Sequence, residues 1–473
     1  MLDSAANRVA RRLIGAGLKP GARLAAYGRN SDAYLLAWLG CLRAGVIHVP
    51  VNYALKPEEL GYIVRQSGAS AVVCDDVLAA NVAASPDGSA PGVQARFAGA
   101  AGGFDILSAA LDETVDDGAI DIANDERIAQ ILYTSGTTAD PKGAVMTHDA
   151  FLAHYASALV SADLGARDRS LDALPLYHSA QMHVFAMPHL LAGATSVLID
   201  APEPSLCLRL IEEHRITSFF APPTVWIGLL RHDDFDRRDL TSLQRVYYGA
   251  SIMPVPVLEE LRRRLPGAKP YNGYGQSEIG PLATMLRPEE HDARPASCGR
   301  PVLNVETRVV DEHMNDVAPG VPGEIVHRSP QLMLRYWDKP EETAQAFEGG
   351  WFHSGDVAWR DEEGYLFVTD RVKDIINTGG VVVSSRDVEE ALFTHPSIYE
   401  CAVIALPDPR WIEAVTAVVV MRPGTEATEG DLIEHARSTL APFKVPKRVI
   451  FAETLPRNTA GKVLKRELRA TYS

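Results

Sequence analysis

The run IAQILYTSGTTADPKG, residues 128–143, changes character at its midpoint. Its first six residues are mostly apolar and read as a buried strand. Then come Thr134, Ser135, Gly136, Thr137 and Thr138, followed by Lys142 and a second glycine, Gly143. Inward-turned backbone N–H groups, hydroxyls at a rim and one cation are what a chain needs to wrap an oxyanion. The ordinary phosphate loop has glycine directly before its lysine and Ser or Thr directly after it. Pro141 and Gly143 hold those places here, which disfavours that class. Taken alone, the cluster reads equally well as a polar surface turn.

A strand that opens into such a loop belongs to an α/β sheet, and the flanking sequence alternates accordingly. ARLAAYG reads as a strand and SDAYLLAWLGCLRAG as a helix, with Ser31 or Asp32 as its cap and Gly45 as its stop. VIHVPV, KPEELGYIVRQSG and ASAVVCD continue as strand, helix and strand, whereas residues 79–104, rich in Ala, Gly, Ser and Pro, read as a loose surface excursion. The rhythm resumes with SVLID, SLCLRLIEEHR, ITSFFAPP and RVYYGAS. Beyond Asp370 it changes to short strands with two helices over about a hundred residues, an ordinary size for a small α+β domain. The expectation is a large α/β domain of layered, mostly parallel sheets at 1–370, then a C-terminal α+β domain at 374–473.

At 473 residues the chain is too long for one core. A net charge of −15 leaves no basic surplus to displace counterions, so nucleic acid is not an expected partner. The five cysteines are scattered without metal spacing or a disulfide framework, which favours a reducing cytoplasm. No apolar run approaches the ~20 residues that span a bilayer, and no signal-peptide pattern opens the chain.

Other segments carry chemistry of the same kind. YNGYGQSE, residues 271–278, sets Tyr274 between glycines, with Gln276, Ser277 and Glu278 following. An aromatic ring can stack on a base, and a glutamate can hold magnesium beside a triphosphate. GGWFHSGDVA places Asp356 in an expected turn, where its carboxylate can accept two ribose hydroxyls. DRVKD offers Arg371, and LPRNTAGKVLKREL presents Lys462 beside a glycine. Each has a plain reading as a turn, a solvated ion pair or a basic tail. In this order along one chain, coincidence is implausible.

These motifs, across nearly the whole chain, resemble the adenylate-forming superfamily of acyl-CoA synthetases, luciferases and peptide-synthetase adenylation domains. NTGG followed by a hydrophobic triplet and SRDVEEAL is most similar to bacterial fatty-acyl-CoA synthetases. The resemblance implies ATP-dependent activation of a carboxylic, fatty-type acid to an acyl-adenylate with loss of pyrophosphate, then transfer to CoA. It implies that residues 134–142 clamp the β- and γ-phosphates, with Thr134 and Glu278 beside Mg2+. Tyr274 and Gly275 would face adenine, Asn272 its amino edge, and Gly249–Ala250 the same cleft. Asp356 and Arg371 would hold the ribose. Ser277, where the family commonly has threonine, keeps the hydroxyl that reaches the α-phosphate. Lys462 is the implied catalytic residue.

By the same resemblance residues 371–373 are a hinge, with Lys373 in the hinge position, and Gly379–Gly380 line a tunnel for the pantetheine thiol. Trp411 and Phe443 match positions that sandwich the adenine of CoA in some relatives, and read equally well as domain-packing aromatics. His178, Tyr248, Gly249 and Gly280 fall in segments that would build an apolar acyl pocket. His183 reads as a packed core histidine. A greasy substrate makes transient membrane contact reasonable, and a homodimer is compatible with the family.

Three features depart from the family pattern. Ala139, followed by Asp140, stands where the loop usually carries glycine, and an alanine resists positive φ by about 1 kcal/mol. Val381, Val382 and Val383 follow the double glycine in place of an acidic-amide-isoleucine triplet, and Ser385 replaces a common proline. The family also begins with a further segment before MLDSAANRVARRL, so a less stable edge is expected there. Two other readings stay open: a ligase that delivers acyl groups to a carrier protein, and a non-catalytic nucleotide-binding relative. Retention of Glu278, Asp356, Arg371 and Lys462 speaks against the second.

Overall fold

The computed structural model describes residues 1–85, 93–99, 104–120, 122, 124–134, 141–251, 253–371, 374, 376–378, 381–457 and 463–473; the side chains of Val93, Asp370, Arg371 and Val382 lie outside that description. Two seven-stranded sheets form its larger part. In the first, strands Phe104–Asp105, Val93–Arg96, Ala71–Cys74, Arg23–Tyr27, Ile47–Val51 and Ile128–Thr134 lie side by side in parallel, and Lys142–Thr147 closes the edge as an antiparallel hairpin partner. The second runs in parallel from Lys269–Tyr274 through Arg245–Gly249, Ser218–Phe220 and Arg169–Asp172 to Thr195–Leu198. Thr284–Leu286 and Arg300–Pro301 extend it in antiparallel sense.

Local chemistry sets these elements where the sequence places them. The Ser31 side chain accepts the backbone N–H of Tyr34 at 3.0 Å and caps helix Asp32–Ala44, which Gly45 ends in the left-handed conformation (φ 66°). The excursion expected at 79–104 is in part ordered sheet: Val93–Arg96 pairs in parallel with Ala71–Cys74, and Ala95 and Phe97 are buried. Their flanks are so rich in small residues that this short strand is masked. Helix Leu2–Gly15, at the expected weak edge, buries Ala6, Val9, Ala10 and Leu13, and Val9 sits against the bare Cα of Gly40.

Between the two large sheets lie helix His148–Ser161 and the π-helix Ala180–Ala186. A buried polar chain crosses this core. Tyr155 Oη meets His183 Nδ1 at 2.8 Å, His183 Nε2 meets Gln130 Oε1 at 2.8 Å, and Gln130 Nε2 meets His48 Nδ1 at 2.9 Å. The amide fixes the tautomers, because Gln130 Oε1 only accepts and its Nε2 only donates. Burial lowers the pKa of His48 to about 3 and that of His183 well below its usual value, so both rings are neutral. His183, stacked 4.0 Å from Phe151, is a core histidine, as its setting in the sequence suggests.

Two smaller sheets complete the chain. Glu306–Val310, Gly323–Arg328, Phe352–Arg360 and Leu366–Arg371 form an antiparallel sheet. Val381–Val383, Ile376–Thr378, Ile412–Met421 and Ile398–Asp408 form the last, with Arg448–Phe451 added in parallel. Helices Ser385–Phe393 and Glu429–Arg437 pack on that sheet through Val388, Leu392, Leu432 and Ala436. A third helix, Lys465–Tyr472, buries Leu468 against it.

Candidate active site

The hairpin Ile128–Thr134/Lys142–Thr147 brings Thr134 opposite Lys142, so the ends of the hydroxyl-rich loop are pinned together. Thr134 Oγ1 donates to Oε1 of Glu278 at 3.1 Å, joining residues 144 positions apart. Glu278 lies in the 3-10 turn Ser277–Ile279 and is 7% exposed. Tyr336 donates its hydroxyl to the same Oε1 at 3.1 Å. A carboxylate and a hydroxyl are hard oxygen donors, a set that suits Mg2+ in company with phosphate oxygens and water.

Strands Arg245–Gly249 and Lys269–Tyr274, paired in parallel, lead into this turn through close glycine packing. Gly249 pairs with Gly273, and a side chain at Gly249 would run into the Gly273 carbonyl. Gly275 meets the same limit more sharply: a methyl there would overlap the carbonyl of Pro281 and stand 2.8 Å from the Ala283 nitrogen. Ala250 holds a positive φ of 61° immediately after its strand.

Asp356 comes from the four-stranded antiparallel sheet. It lies within strand Phe352–Arg360 and not in a turn, but Gly355 before it turns left-handed at φ 69°. Oδ2 of Asp356 accepts from Tyr274 Oη at 2.8 Å and from Gln276 Nε2 at 2.8 Å, while Gln276 also reaches the Ser354 carbonyl at 2.7 Å. Burial and the Asp356 charge push the Tyr274 phenol pKa well up, so it remains a donor. The backbone of Arg371 pairs with Asp356 across the two strands.

Ser277 Oγ lies 2.7 Å from Ser179 Oγ, the residue that opens the π-helix. Asn272 turns its amide N–H to the Ser297 carbonyl at 2.8 Å. His178 is half-buried, its ring 5.9 Å from that of Tyr177, and Gly280 lies against the His154 ring. Tyr248, assigned from the sequence to the acyl wall, points into the core with Trp226 and Leu258, its hydroxyl 3.0 Å from His291 Nε2. Side chains alternate along a strand, so Tyr247 faces Phe185 and the π-helix instead.

Trp411 and Phe443 are tied to one lysine that sequence reasoning passed over. Lys447 Nζ stands 5.0 Å from the centre of the Trp411 ring and 3.3 Å from the Phe443 carbonyl, and Phe443 is 40% exposed. Ser135, Gly136, Thr137, Thr138, Lys373, Gly379, Gly380 and Lys462 lie outside the described residues, as does the side chain of Arg371. Sequence reasoning also missed Tyr336 and Ser179, whose hydroxyls reach partners far away in the chain.

Comparisons with known proteins identify the family of the chain. The family model for the AMP-binding enzyme matches residues 1–337, and that for the AMP-binding enzyme C-terminal domain matches residues 387–462. A feruloyl-CoA synthase of an Amycolatopsis species is 36% identical over 98% of this chain and 92% of its own length. A fatty acid–[acyl-carrier-protein] ligase of Streptomyces coeruleorubidus is 34% identical over 100% of this chain and 91% of its own. The crystal structure of ATP-bound MatB from Rhodopseudomonas palustris superimposes with a TM-score of 0.91 at 31% identity, covering 100% of this chain and 92% of that one. With both family models matched in order along the chain, it belongs to the adenylate-forming AMP-binding enzymes, the family of the acid–CoA ligases.

Proposed function

We propose that this protein activates an apolar, fatty-type carboxylic acid with ATP and passes the acyl group to CoA. A carboxylate oxygen attacks the α-phosphorus, the bond to the bridging oxygen of the β-phosphate breaks, and pyrophosphate leaves. The CoA thiol then adds to the acyl carbon as its proton departs, and AMP leaves with the acyl oxygen. The observation that carries this reading is the convergence of Thr134 on Glu278 at the root of the hydroxyl loop, beside the Tyr274–Asp356 pair.

In this reading Thr134, Ser135, Gly136, Thr137, Thr138 and Lys142 hold the β- and γ-phosphates, and Thr134 and Glu278 hold Mg2+, which would neutralise phosphate charge. Asp356 and Arg371 take the ribose, and Tyr274, Gly275, Asn272, Gly249 and Ala250 frame the base. Ser277 exchanges Ser179 for an α-phosphate oxygen. Lys462 supplies a positive charge between carboxylate and α-phosphate, where charge grows in the transition state. The residues around Lys373 act as the hinge of a mobile C-terminal domain, Gly379–Gly380 admit the thiol, and Trp411 and Phe443 receive the CoA adenine. The enzyme works in the cytoplasm.

His178, Gly249 and Gly280 would line the acyl pocket, and Tyr247, packed on Phe185 beside Phe220, takes the place of Tyr248 in its apolar wall. Acid-dependent exchange of labelled pyrophosphate into ATP tests the first half-reaction. The reading expects exchange with apolar acids and none without acid; absence of exchange with every acid would refute it. A carrier protein as acceptor is the second reading, favoured by the likeness to the carrier-protein ligase.

A further inference from the structure

Residues 331–337 form a clasp that joins two parts of the site distant in sequence. Backbone bonds lace it to the strand that leaves the phosphate loop: Val145 N donates to Arg335 O at 2.9 Å, Leu334 N to Val145 O at 2.8 Å, and Trp337 N to Gly143 O at 2.7 Å. From the same segment Gln331, fully buried, donates to the carbonyls of Ile279 and Leu282 at 2.8 and 2.7 Å, and Met333 N donates to the Glu278 carbonyl at 2.7 Å. The clasp therefore grips the Glu278 turn by its backbone on one side and the Lys142 strand on the other.

Tyr336 is where the two grips meet. It is 8% exposed, and its backbone N–H is held by Thr343 Oγ1 at 3.0 Å. Its hydroxyl donates to Oε1 of Glu278, the oxygen that also accepts from Thr134. Among the described residues no side chain donates to Oε2. The ammonium of Lys142 stands 5.2 Å from the centre of the Tyr336 ring, within the range at which a cation is attracted to an aromatic face. One side chain thus fixes the plane of the carboxylate and gives the neighbouring cation a resting place other than that carboxylate.

We propose that Tyr336 is a positioning residue for the metal–nucleotide complex, acting through Glu278. Two hydroxyls on one oxygen hold the carboxylate still and leave the second oxygen for a divalent cation. The ring keeps Lys142 close enough to serve the phosphates without neutralising Glu278 in an ion pair. The inference rests on the ligase reading for the purpose of the metal, but its test needs neither acid nor CoA.

The experiment is calorimetric titration of ATP into the full-length protein without acid, once in Mg2+ and once in EDTA. The ratio of the two affinities isolates the metal's contribution. Tyr336→Phe keeps the ring and removes the hydroxyl. It should cut that ratio about tenfold, the scale of a hydrogen bond to a charged group, while ATP affinity in EDTA stays within about twofold. In a Glu278→Gln background, adding Tyr336→Phe should change the ratio no further, because the partner through which it acts is already lost. An unchanged ratio in Tyr336→Phe, an equal loss in EDTA, or a full additional loss in the double variant would overturn the proposal. Failure of acid-dependent exchange would refute the ligase reading and leave this titration to decide the role of Tyr336.

Discussion

The phenol of Tyr274 donates to Oδ2 of Asp356 across 2.8 Å, and the Gln276 amide shares that oxygen. In the proposed reading a ribose bound by Asp356 meets a carboxylate already oriented by Tyr274 and Gln276. Tyr274→Phe should raise the KM for ATP several-fold with little change in kcat, since Gln276 still holds the carboxylate. It should cost about 1–2 kcal/mol of stability for a lost bond to a charged group. Steady-state pyrophosphate exchange and urea unfolding check both effects. The neutral phenol is kept so by burial and by Asp356, so its contribution should stay flat across neutral pH.

Gly275 has no room for a methyl group, with the Pro281 carbonyl and the Ala283 nitrogen in its place. Gly275→Ala should destabilise the protein by about 3 kcal/mol, the upper range for overpacking because backbone has to move. A denaturant midpoint equal to that of the wild type would contradict the geometry.

Burial holds His48 and His154 at a pKa of about 3. An unfolded histidine titrates near 6.5, so the unfolded chain binds protons that the folded chain refuses. Stability from these groups is therefore complete above about pH 6.5 and is lost as pH falls toward 3, by about 1.4 kcal/mol per pH unit for each ring. Urea unfolding between pH 7 and pH 5 should show that slope, and His154→Phe should reduce it by one proton.

Lys462→Ala should slow acid-dependent pyrophosphate exchange about a hundred- to a thousandfold and leave ATP binding largely intact. Undiminished exchange would remove Lys462 from its proposed role. Gly380→Trp should separate the two halves of the reaction, blocking thioester formation while adenylation continues.

Sequence alone shows what is local. The Ser31 cap, the Gly45 stop and the hydroxyl loop each declare themselves within a few residues. What depends on distant partners is hidden. Val93–Arg96 becomes a strand because Ala71–Cys74 offers it an edge, not because its neighbours look like sheet. Tyr247 and Tyr248 are indistinguishable in the sequence, and only the stacking of the second sheet decides which of the two buried rings faces the π-helix. Asp356 reads as a turn residue because Gly355 precedes it, yet its neighbours on either side keep it in a strand. Tyr336 carries no signal at all, since its hydroxyl acts on a glutamate 58 residues earlier.

The central claim, that this protein couples an apolar acid to ATP and then to CoA, is tested most directly by AMP release across a graded panel of carboxylic acids, with and without CoA. The account predicts slow or single-turnover AMP formation with acid alone and sustained, CoA-dependent release with apolar acids. AMP release that no acid supports would contradict it.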